Sequence, residues 1–195
     1  MTDDPWHELN HILAGFGLDD PPLLARIRQV ARLQEVERDQ PIIQAGQRPT
    51  HFFAILSGLA RYYYLSPEGK EWNKAFFHEG QLIGSLSAYL KRQPCTYSIA
   101  AVEPCRLVTI PLDLFDSAGA GHPQLESLLA QYTRLIMLRN EDREALLLTC
   151  NSEERYRWLL RHEAWLLDRV PQYHLASYLS MDAVSFSRIK RKLAG

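Results

Sequence analysis

The sequence predicts an α+β fold with N-terminal helices, a central β region and C-terminal helices. Apolar residues recur at helical spacing from about Pro5 to Arg32 and again from Pro123 onward. Between about Leu33 and Pro111, turn residues interrupt short apolar runs at roughly the spacing found in β-sandwiches and barrels. Together these patterns predict a β domain preceded and followed by helices.

Composition and charge indicate a globular protein of the cytoplasm. The chain has 195 residues, of which 46% are hydrophobic and 23% charged, and its formal net charge is −1. No apolar run reaches the roughly 18 residues needed to cross a membrane. The acidic start MTDDPWHELN lacks the basic region of a signal peptide. The three cysteines are widely spaced, which does not support a zinc knuckle or an iron–sulfur cluster, so we expect no cofactor.

A long helix is predicted from Pro123 to Cys150, because no Pro or Gly follows Pro123 in this stretch. One apolar stripe runs along it at helical spacing. Such a stripe is either a core face or a dimer seam, and we predict that it pairs two copies of the chain. The predicted dimer residues are Leu125, Leu128, Leu129, Tyr132, Leu135 and Ile136.

The next helix is predicted to begin after Asn151. The Asn151 side chain can cap the first backbone amides, and Glu154, three residues on, can bond back to the Asn151 backbone. We expect this helix to continue to Val170, since the residue before a proline is biased away from helix.

The last segment, PQYHLASYLSMDAVSFSRIKRKL, predicts two helices joined by a tight turn. Leu175, Ala176 and Leu179 form the apolar face of the first helix. Asp182 can cap the second helix through its first free backbone amides. Two sets of residues could face inward from the second helix: Val184, Ile189 and Leu193, or Phe186 and Ile189.

The outward face of this second helix suits the major groove of DNA. Arginine can form two hydrogen bonds to guanine, serine can bond a base edge or a phosphate, and lysine binds phosphates. The alternative is an amphipathic helix whose basic residues are merely solvated, and the pattern alone does not decide between the two. The predicted DNA-contacting residues are Ser185, Ser187, Arg188, Lys190, Arg191 and Lys192.

Nearly the whole chain resembles the Crp/Fnr family of bacterial transcription regulators. PIIQAGQRPTHFFAILSGLARYYYLSPEGKEWNKAFFHEGQLIG is similar to that family's β-roll, and QPCTYSIAAVEPCRLVTIP to the segment with its phosphate-binding pocket. RYRWLLRHEAWLLDRVPQYHLASYLSMDAVSFSRIKRKL is similar to the C-terminal helix-turn-helix of one subgroup. The resemblance implies a double-stranded β-helix (jelly roll) sensor domain with N-terminal helices over residues 1–122. It also implies a dimerisation helix over 123–150 and a helix-turn-helix domain over 151–195.

The effector pocket implied by this resemblance departs from that of cyclic-nucleotide binders. Those proteins place Gly-Glu-Leu before a short helix, where Glu binds the ribose, and Arg-Thr or Arg-Ser after it, where Arg binds the phosphate. Here the corresponding residues are Gly80-Gln81-Leu82 and Cys95-Thr96, and cysteine lacks the charge and paired donors of arginine. The loss costs about a hundredfold or more in affinity, so we expect no tight binding of cyclic AMP or cyclic GMP. The predicted pocket residues are Gly80, Gln81, Leu82, Ile83, Cys95, Thr96 and Tyr97.

The predicted DNA-contacting helix also departs from the family. Ser187 and Arg188 match it, but the family commonly has Glu at the position of Val184 and often Arg at that of Ala183. Apolar residues can contact only a thymine methyl group, so we expect weaker or more dimer-dependent DNA binding. Because the sequence stops at Gly195, directly after this helix, a C-terminal wing is not expected at that place.

Two other features have both a functional interpretation and a simpler one without function. HELNH, from His7 to His11, matches the H-E-x-x-H pattern of zinc proteases. No other histidine has a spacing that suggests a third ligand, so a chance match is favoured and no metal site is predicted. Cys95 could be a redox switch, but a small residue of the pocket wall is favoured.

The leading hypothesis is therefore a homodimeric transcription regulator that binds double-stranded DNA. An unknown small-molecule effector could act through the Gly80–Tyr97 segment, and no membrane partner is expected. The alternative is a ligand-sensing or protein-interaction module that keeps the fold but has lost specific DNA binding. An enzyme is the weakest hypothesis, because it depends only on HELNH.

Overall fold

The computed structural model describes residues 4–118 and 122–194 and has the predicted α+β arrangement. The chain forms two compact units: residues 1–62 with 76–135, and residues 63–75 with 136–195. The division into domains at residues 122 and 150 stays a prediction. Within the described ranges, no helix is both long enough and apolar enough to cross a membrane.

Two short helices open the chain, α1 (Pro5–Ala14) and α2 (Pro21–Val30). Each begins with a proline that follows an aspartate cap, a combination that satisfies the first amides and pre-sets the backbone angle φ. Asp4 accepts a hydrogen bond from the Trp6 amide (3.0 Å), and Asp20 accepts one from the Leu23 amide (2.9 Å). These two caps confirm that the N-terminal region is helical.

Eight strands and one short helix form the β-roll. Their bounds are β1 Arg32–Val36, β2 Pro41–Ile43, β3 His51–Ser57, β4 Ala60–Leu65, β5 Glu71–Phe77, β6 Leu82–Ile83, α3 Leu86–Lys91, β7 Ser98–Ala101 and β8 Cys105–Pro111. One sheet has the order β1-β8-β3-β6 and the other β2-β7-β4-β5. Strand β3 pairs antiparallel with both β6 and β8, and its five central residues are buried.

A tight turn at Ser66–Gly69 connects β4 and β5. The Gly69 amide donates to the Ser66 carbonyl (3.0 Å). Gly69 has φ of +83°, a left-handed conformation that favours glycine. A π-helical turn at Leu114–Ala118 follows β8.

Residues 122–194 form five helices: α4 Pro123–Thr149, α5 Ser152–His162, α6 Leu166–Arg169, α7 Gln172–Tyr178 and α8 Ala183–Ala194. The capping box at the start of α5 is present as predicted: Asn151 accepts from the amides of Glu153 and Glu154, and the Asn151 amide donates to Glu154 (2.7 Å). The predicted continuation of this helix to Val170 is wrong. Glu163 leaves the helical conformation (φ −138°, ψ 37°), and its carboxylate lies 3.5 Å from the Arg139 guanidinium. This tertiary contact outweighs the local helix preference.

Each unit has its own apolar core. In the first unit, Phe52 contacts Phe115 and Tyr132 edge-on, with ring centroids 5.4 and 5.8 Å away. In the second unit, Tyr156 of α5 contacts Phe186 of α8 edge-on at 5.3 Å. Such edge-to-face aromatic pairs stabilise a core beyond the burial of their area.

Candidate functional site

Helices α7 and α8 are joined by a tight turn that two backbone hydrogen bonds close. The Met181 amide donates to the Ala176 carbonyl (3.0 Å), and the Ser180 amide donates to the Ser177 carbonyl (3.1 Å). Ser180 has φ of +52°. These bonds and the left-handed residue define a Schellman turn, which ends α7 sharply. The two helices therefore form the predicted helix-turn-helix geometry.

Asp182 caps α8, as predicted. Its carboxylate accepts from the Ser185 amide (2.7 Å) and from the Ser185 hydroxyl (2.8 Å). The backbone bond, followed by the hydroxyl bond, lowers the pKa of Asp182. The Ser185 hydroxyl is thus engaged in the cap, which makes this predicted DNA contact less available to a base.

The buried face of α8 is the second of the two predicted sets. Phe186 is fully buried and Ile189 is buried. Val184 is 78% exposed, which excludes it from the core. The Val184 side chain therefore lies on the accessible surface that also carries the basic residues of the helix, and it does not contribute to the core.

The predicted DNA-contacting residues differ in their surroundings. Arg188 and Arg191 are exposed, whereas Ser187 and Lys190 are half-buried. Lys192 Nζ donates to the Glu153 carboxylate at 2.6 Å, and this contact is the main cause that lowers the pKa of Glu153. Arg188 and Arg191 therefore offer the most accessible positive charges, while the charge of Lys192 is partly compensated.

Arg155 has a structural role in this domain that the sequence pattern does not reveal. Its guanidinium donates to the carbonyls of Leu147 (2.8 Å), Cys150 (3.0 Å) and Leu179 (3.1 Å). A fourth bond reaches the Ser180 carbonyl at 3.3 Å. In the sequence Arg155 is one of several arginines on an amphipathic helix, and no local signal separates it from its exposed neighbours. It connects α5 both to the end of α4 and to the turn of the helix-turn-helix.

In the β-roll, the predicted pocket triplet Gly80-Gln81-Leu82 spans a turn and the start of β6. Gly80 is exposed with φ of +81°. The Gln81 side-chain oxygen accepts from the His78 amide (3.0 Å). Leu82 and Ile83 are buried and pair with β3. The Gln81 side chain therefore stabilises the turn, and the Leu82 and Ile83 side chains pack in the core beside β3.

A second Gly-x-Leu triplet, Gly84-Ser85-Leu86, was missed. It lies directly before the short helix α3, which is the order that the cyclic-nucleotide binders share. Ser85 has no exposed surface. A Cβ on Gly84 would lie 2.4 Å from Cδ1 of Phe52, so only glycine fits. The triplet could have been found in the sequence, because it repeats the same pattern four residues later.

Tyrosines fill the space beside this second triplet. The Tyr62 hydroxyl donates to the Gly84 carbonyl (3.1 Å) and accepts from the Gly84 amide (2.7 Å). Tyr97 stacks on Tyr62 with a centroid distance of 5.1 Å, and its hydroxyl donates to the same carbonyl (3.3 Å). Burial raises the pKa of Tyr62 well above its ordinary value. Both backbone groups of Gly84 are thus bonded to the chain's own side chains.

The residues that follow α3 place no accessible positive charge beside Gly84, Tyr62 and Tyr97. Cys95 is buried and Thr96 is exposed. Arg92 forms two hydrogen bonds of 2.8 Å to the Asp116 carboxylate, which also accepts from the Tyr89 hydroxyl (3.0 Å). The Arg92 bonds are the main cause that lowers the pKa of Asp116. Arg92 is therefore held at the surface and does not take the place of a phosphate-binding arginine.

The HELNH motif lies on α1, where His7 and His11 are exposed and line a cavity of about 370 Å³ with Glu8 and Gly80. Within residues 4–118 and 122–194, no group of three or more His, Cys, Asp or Glu lies in an arrangement that could hold a metal ion. Among the described residues, no third side chain is therefore placed to complete a protease-type zinc site with these two histidines.

The predicted dimer stripe on α4 divides into buried and exposed parts. Leu125, Leu128 and Tyr132 are buried within the first unit, where Tyr132 contacts Phe16 edge-on at 6.2 Å. Because these three side chains are buried in the core of their own chain, they cannot contact a second copy of it. Leu129 and Ile136 are half-buried. Leu135 is 46% exposed and is followed by the exposed Met137 and Leu138, so the accessible apolar surface begins near Leu135.

Comparison with known proteins gives a domain family for the middle of the chain. Residues 33–122 match the cyclic nucleotide-binding domain family. The chain is 26% identical over 126 residues to the anaerobic regulatory protein of Aggregatibacter actinomycetemcomitans. The match covers 65% of this chain and 48% of that protein, so the chain spans about half the length of this curated relative.

Solved structures share the fold. FixK2 from Bradyrhizobium japonicum superimposes with a TM-score of 0.74 at 20% identity and covers 85% of each chain. A regulator of the Crp/Fnr family from Eubacterium rectale gives 0.72 at 16% identity, covering 90% of this chain and 83% of that one. Residues 33–122 therefore match the cyclic nucleotide-binding domain family, and the chain shares the fold of these solved structures. The predicted Crp/Fnr fold, with N-terminal helices, a β-roll, a long helix and C-terminal helices, is thereby confirmed. The curated relatives are named as regulatory proteins.

Proposed function

We propose that the chain is a DNA-binding transcription regulator that acts as a homodimer. The observation that carries this proposal is the capped helix α8, in which Phe186 and Ile189 are buried while Arg188 and Arg191 are exposed. An exposed arginine on such a helix can form two hydrogen bonds to a guanine edge in the major groove. Two copies would contact half-sites about 34 Å apart.

The second element of the proposal concerns the β-roll. Tyr62 and Tyr97 occupy both backbone groups of Gly84, and Cys95 stands where the family resemblance implies an arginine. The roll would therefore hold its shape through its own side chains and would not respond to cyclic AMP or cyclic GMP. This regulator is proposed to work without a cyclic nucleotide.

DNA binding is tested by selecting bound sequences from a random duplex pool with the full chain and then measuring affinity by fluorescence anisotropy. The Arg188→Ala variant should lose specific retention, whereas Arg26→Ala, an exposed arginine on α2, should not. Affinity for the selected duplex should fall steeply with salt, because bound phosphates release counterions. Absence of any enriched sequence, together with a flat salt response, would contradict the proposal.

A module that has lost DNA binding is the second candidate. The exposed Val184, the engaged Ser185 hydroxyl and the Lys192–Glu153 ion pair favour it, because each reduces the polar groups that reach DNA. Under this alternative, Arg188→Ala would leave every measured property of the chain unchanged.

A further inference from the structure

The first unit contains a cavity beside α1 that the proposed function does not use. Its volume is about 370 Å³, and its walls come from α1, from strand β3 and from the turn before β6. The lining includes the two histidines and the glutamate of HELNH together with three apolar residues, namely His7, Glu8, His11, Ile12, Ile55 and Leu56. All six belong to the same compact unit.

His7 and His11 are placed to bind one ion together. They lie one helical turn apart (i, i+4) on α1, both are exposed, and both line the cavity. Neutral imidazole is a common ligand of nickel, copper and zinc. Two histidines at this spacing on a helix are also the pair that binds zinc in H-E-x-x-H sites. The spacing alone can occur by chance, but here both imidazoles also line the same cavity.

The helix that carries this pair is fixed at its start and by its buried side chains. Asp4 caps it by accepting a hydrogen bond from the Trp6 amide (3.0 Å), and Leu9 and Leu13 are almost completely buried. Because the backbone is held in this way, the distance between the two histidine Cα atoms is set before an ion arrives. A pre-formed pair of ligands binds an ion more tightly than a pair that must first be ordered.

The charge of the cavity wall favours a cation over an anion. Glu8 is half-buried, and the described residues that line the cavity include no lysine or arginine. Ile12, Ile55 and Leu56 are buried and form an apolar part of the wall. Such surroundings have a lower effective dielectric constant than water, which strengthens the attraction between a carboxylate and a bound cation.

Two protein ligands and an open rim leave room for exchangeable ligands. Across the described residues, no group of three or more His, Cys, Asp or Glu is arranged to hold a metal ion, so Glu8 acts through its charge and not as a third ligand. Gly80 is exposed at the rim, and a Cβ on it would contact nothing within 4 Å. A hydrated ion can therefore reach the histidines from solvent and keep some of its waters.

We propose that His7 and His11 together bind one late transition-metal ion, of the class of Ni²⁺, Cu²⁺ and Zn²⁺, at the mouth of this cavity. The two imidazoles are the protein ligands, Glu8 contributes negative charge, and water completes the coordination. The site differs from a zinc protease site, which needs three protein ligands. The inference is independent of the proposed DNA binding, because its residues lie on α1, on β3 and in the turn before β6.

Calorimetry on the full chain, after treatment with a chelator, tests the site with Ni²⁺, Zn²⁺ and Mg²⁺. We expect one site per chain for Ni²⁺ and Zn²⁺, and binding of Mg²⁺ that is about a hundredfold or more weaker, because Mg²⁺ prefers oxygen ligands. His7→Ala and His11→Ala should each weaken Ni²⁺ binding by about tenfold or more, since the second ligand no longer holds the same ion. His162→Ala, at an exposed histidine of α5, is the control and should leave the affinity unchanged.

The double variant, with His7→Ala and His11→Ala combined, shows whether one ion is shared. If both imidazoles bind it, either single substitution already reduces binding to nearly the level of the double variant. If each histidine bound its own ion, each single variant would keep one equivalent at full affinity, and that result would overturn the proposal. Binding of Mg²⁺ as tight as that of Ni²⁺, unchanged affinity in both single variants, or an equal loss in His162→Ala would also overturn it. Circular dichroism confirms that the variants fold, as expected for alanine at two exposed helix positions.

Discussion

The Tyr62 hydroxyl donates a hydrogen bond to the Gly84 carbonyl (3.1 Å) and accepts one from the Gly84 amide (2.7 Å). The pair connects β4 to the residue that directly follows β6, and these two strands belong to different sheets of the roll. Gly84 is fixed from its other side by Phe52, which leaves no room for a Cβ. The interior of the roll is thus held by one tyrosine that serves both hydrogen-bonding groups of a single glycine.

Tyr62→Phe is expected to lower the free energy of unfolding by about 1 to 3 kcal/mol, because it leaves a buried amide and a buried carbonyl with weaker pairing. Tyr97→Phe should cost less, since Tyr97 makes a longer bond (3.3 Å) to a carbonyl that Tyr62 also serves. Urea unfolding followed by circular dichroism measures both variants. An equal loss in the two would contradict the central part assigned to Tyr62.

Cyclic AMP and cyclic GMP should not bind tightly to the full chain. Restoring arginine with Cys95→Arg alone should not create binding, because Tyr62 and Tyr97 still occupy the Gly84 backbone and Cys95 is buried. Calorimetry with both nucleotides checks each protein after its folded state has been confirmed by circular dichroism. Submicromolar binding to the unmodified chain, or tight binding to Cys95→Arg, would refute this interpretation of the roll.

Dimerisation is expected to depend on the exposed part of α4 and not on the whole apolar stripe. Leu138, at 46% exposed, lies one helical turn from Leu135. Leu138→Glu should convert the dimer to a monomer at micromolar concentration, because a desolvated carboxylate without a partner is costly in a helix pair. Leu65→Glu, at a 58% exposed leucine of β4, is the control. Sedimentation velocity measures the oligomeric state. If the Leu138→Glu variant remains a dimer, the dimer interface lies elsewhere.

Arg155→Met is expected to destabilise the second unit by about 2 to 3 kcal/mol, since it removes charge-assisted bonds to four carbonyls. Arg157→Met is the matched control, because Arg157 lies two residues away and makes an exposed ion pair with Glu153, a contact that contributes little. Chemical unfolding monitored by tryptophan fluorescence compares the two. A similar effect of both substitutions would show that Arg155 does not support the turn.

Local chemistry was enough to predict several of these elements. The spacing of Asn151 and Glu154 predicts the capping box of α5, and Asp182 predicts the cap of α8, because both depend on residues three positions apart. The end of α5 could not be predicted in this way. It depends on the contact between Glu163 and Arg139, which are distant in sequence.

The candidate sites also depend on contacts between residues that are distant in sequence, which local patterns do not reveal. The stripe on α4 has one helical period throughout, but Leu125 is buried in the first unit while Leu135 is exposed. This difference depends on tertiary packing, such as the contacts of Phe16 and Phe52 with Tyr132, which the period does not reveal. The pattern of three consecutive tyrosines in β4 does not indicate which of them is buried. It could not reveal that Tyr62 binds the Gly84 backbone, which lies in a distant part of the chain.

Ser180→Gly is expected to raise the free energy of unfolding by about 0.5 kcal/mol. Ser180 has φ of +52° in the turn between α7 and α8, a conformation that costs an L-residue energy and that glycine adopts freely. Part of the gain is offset, because glycine has more freedom in the unfolded chain. Ser87→Gly, at an exposed serine inside α3, should instead destabilise by about 0.5 to 1 kcal/mol. Thermal unfolding of both variants gives the sign directly, and a loss of stability in Ser180→Gly would mean that contacts of the serine side chain outweigh the relief of backbone strain.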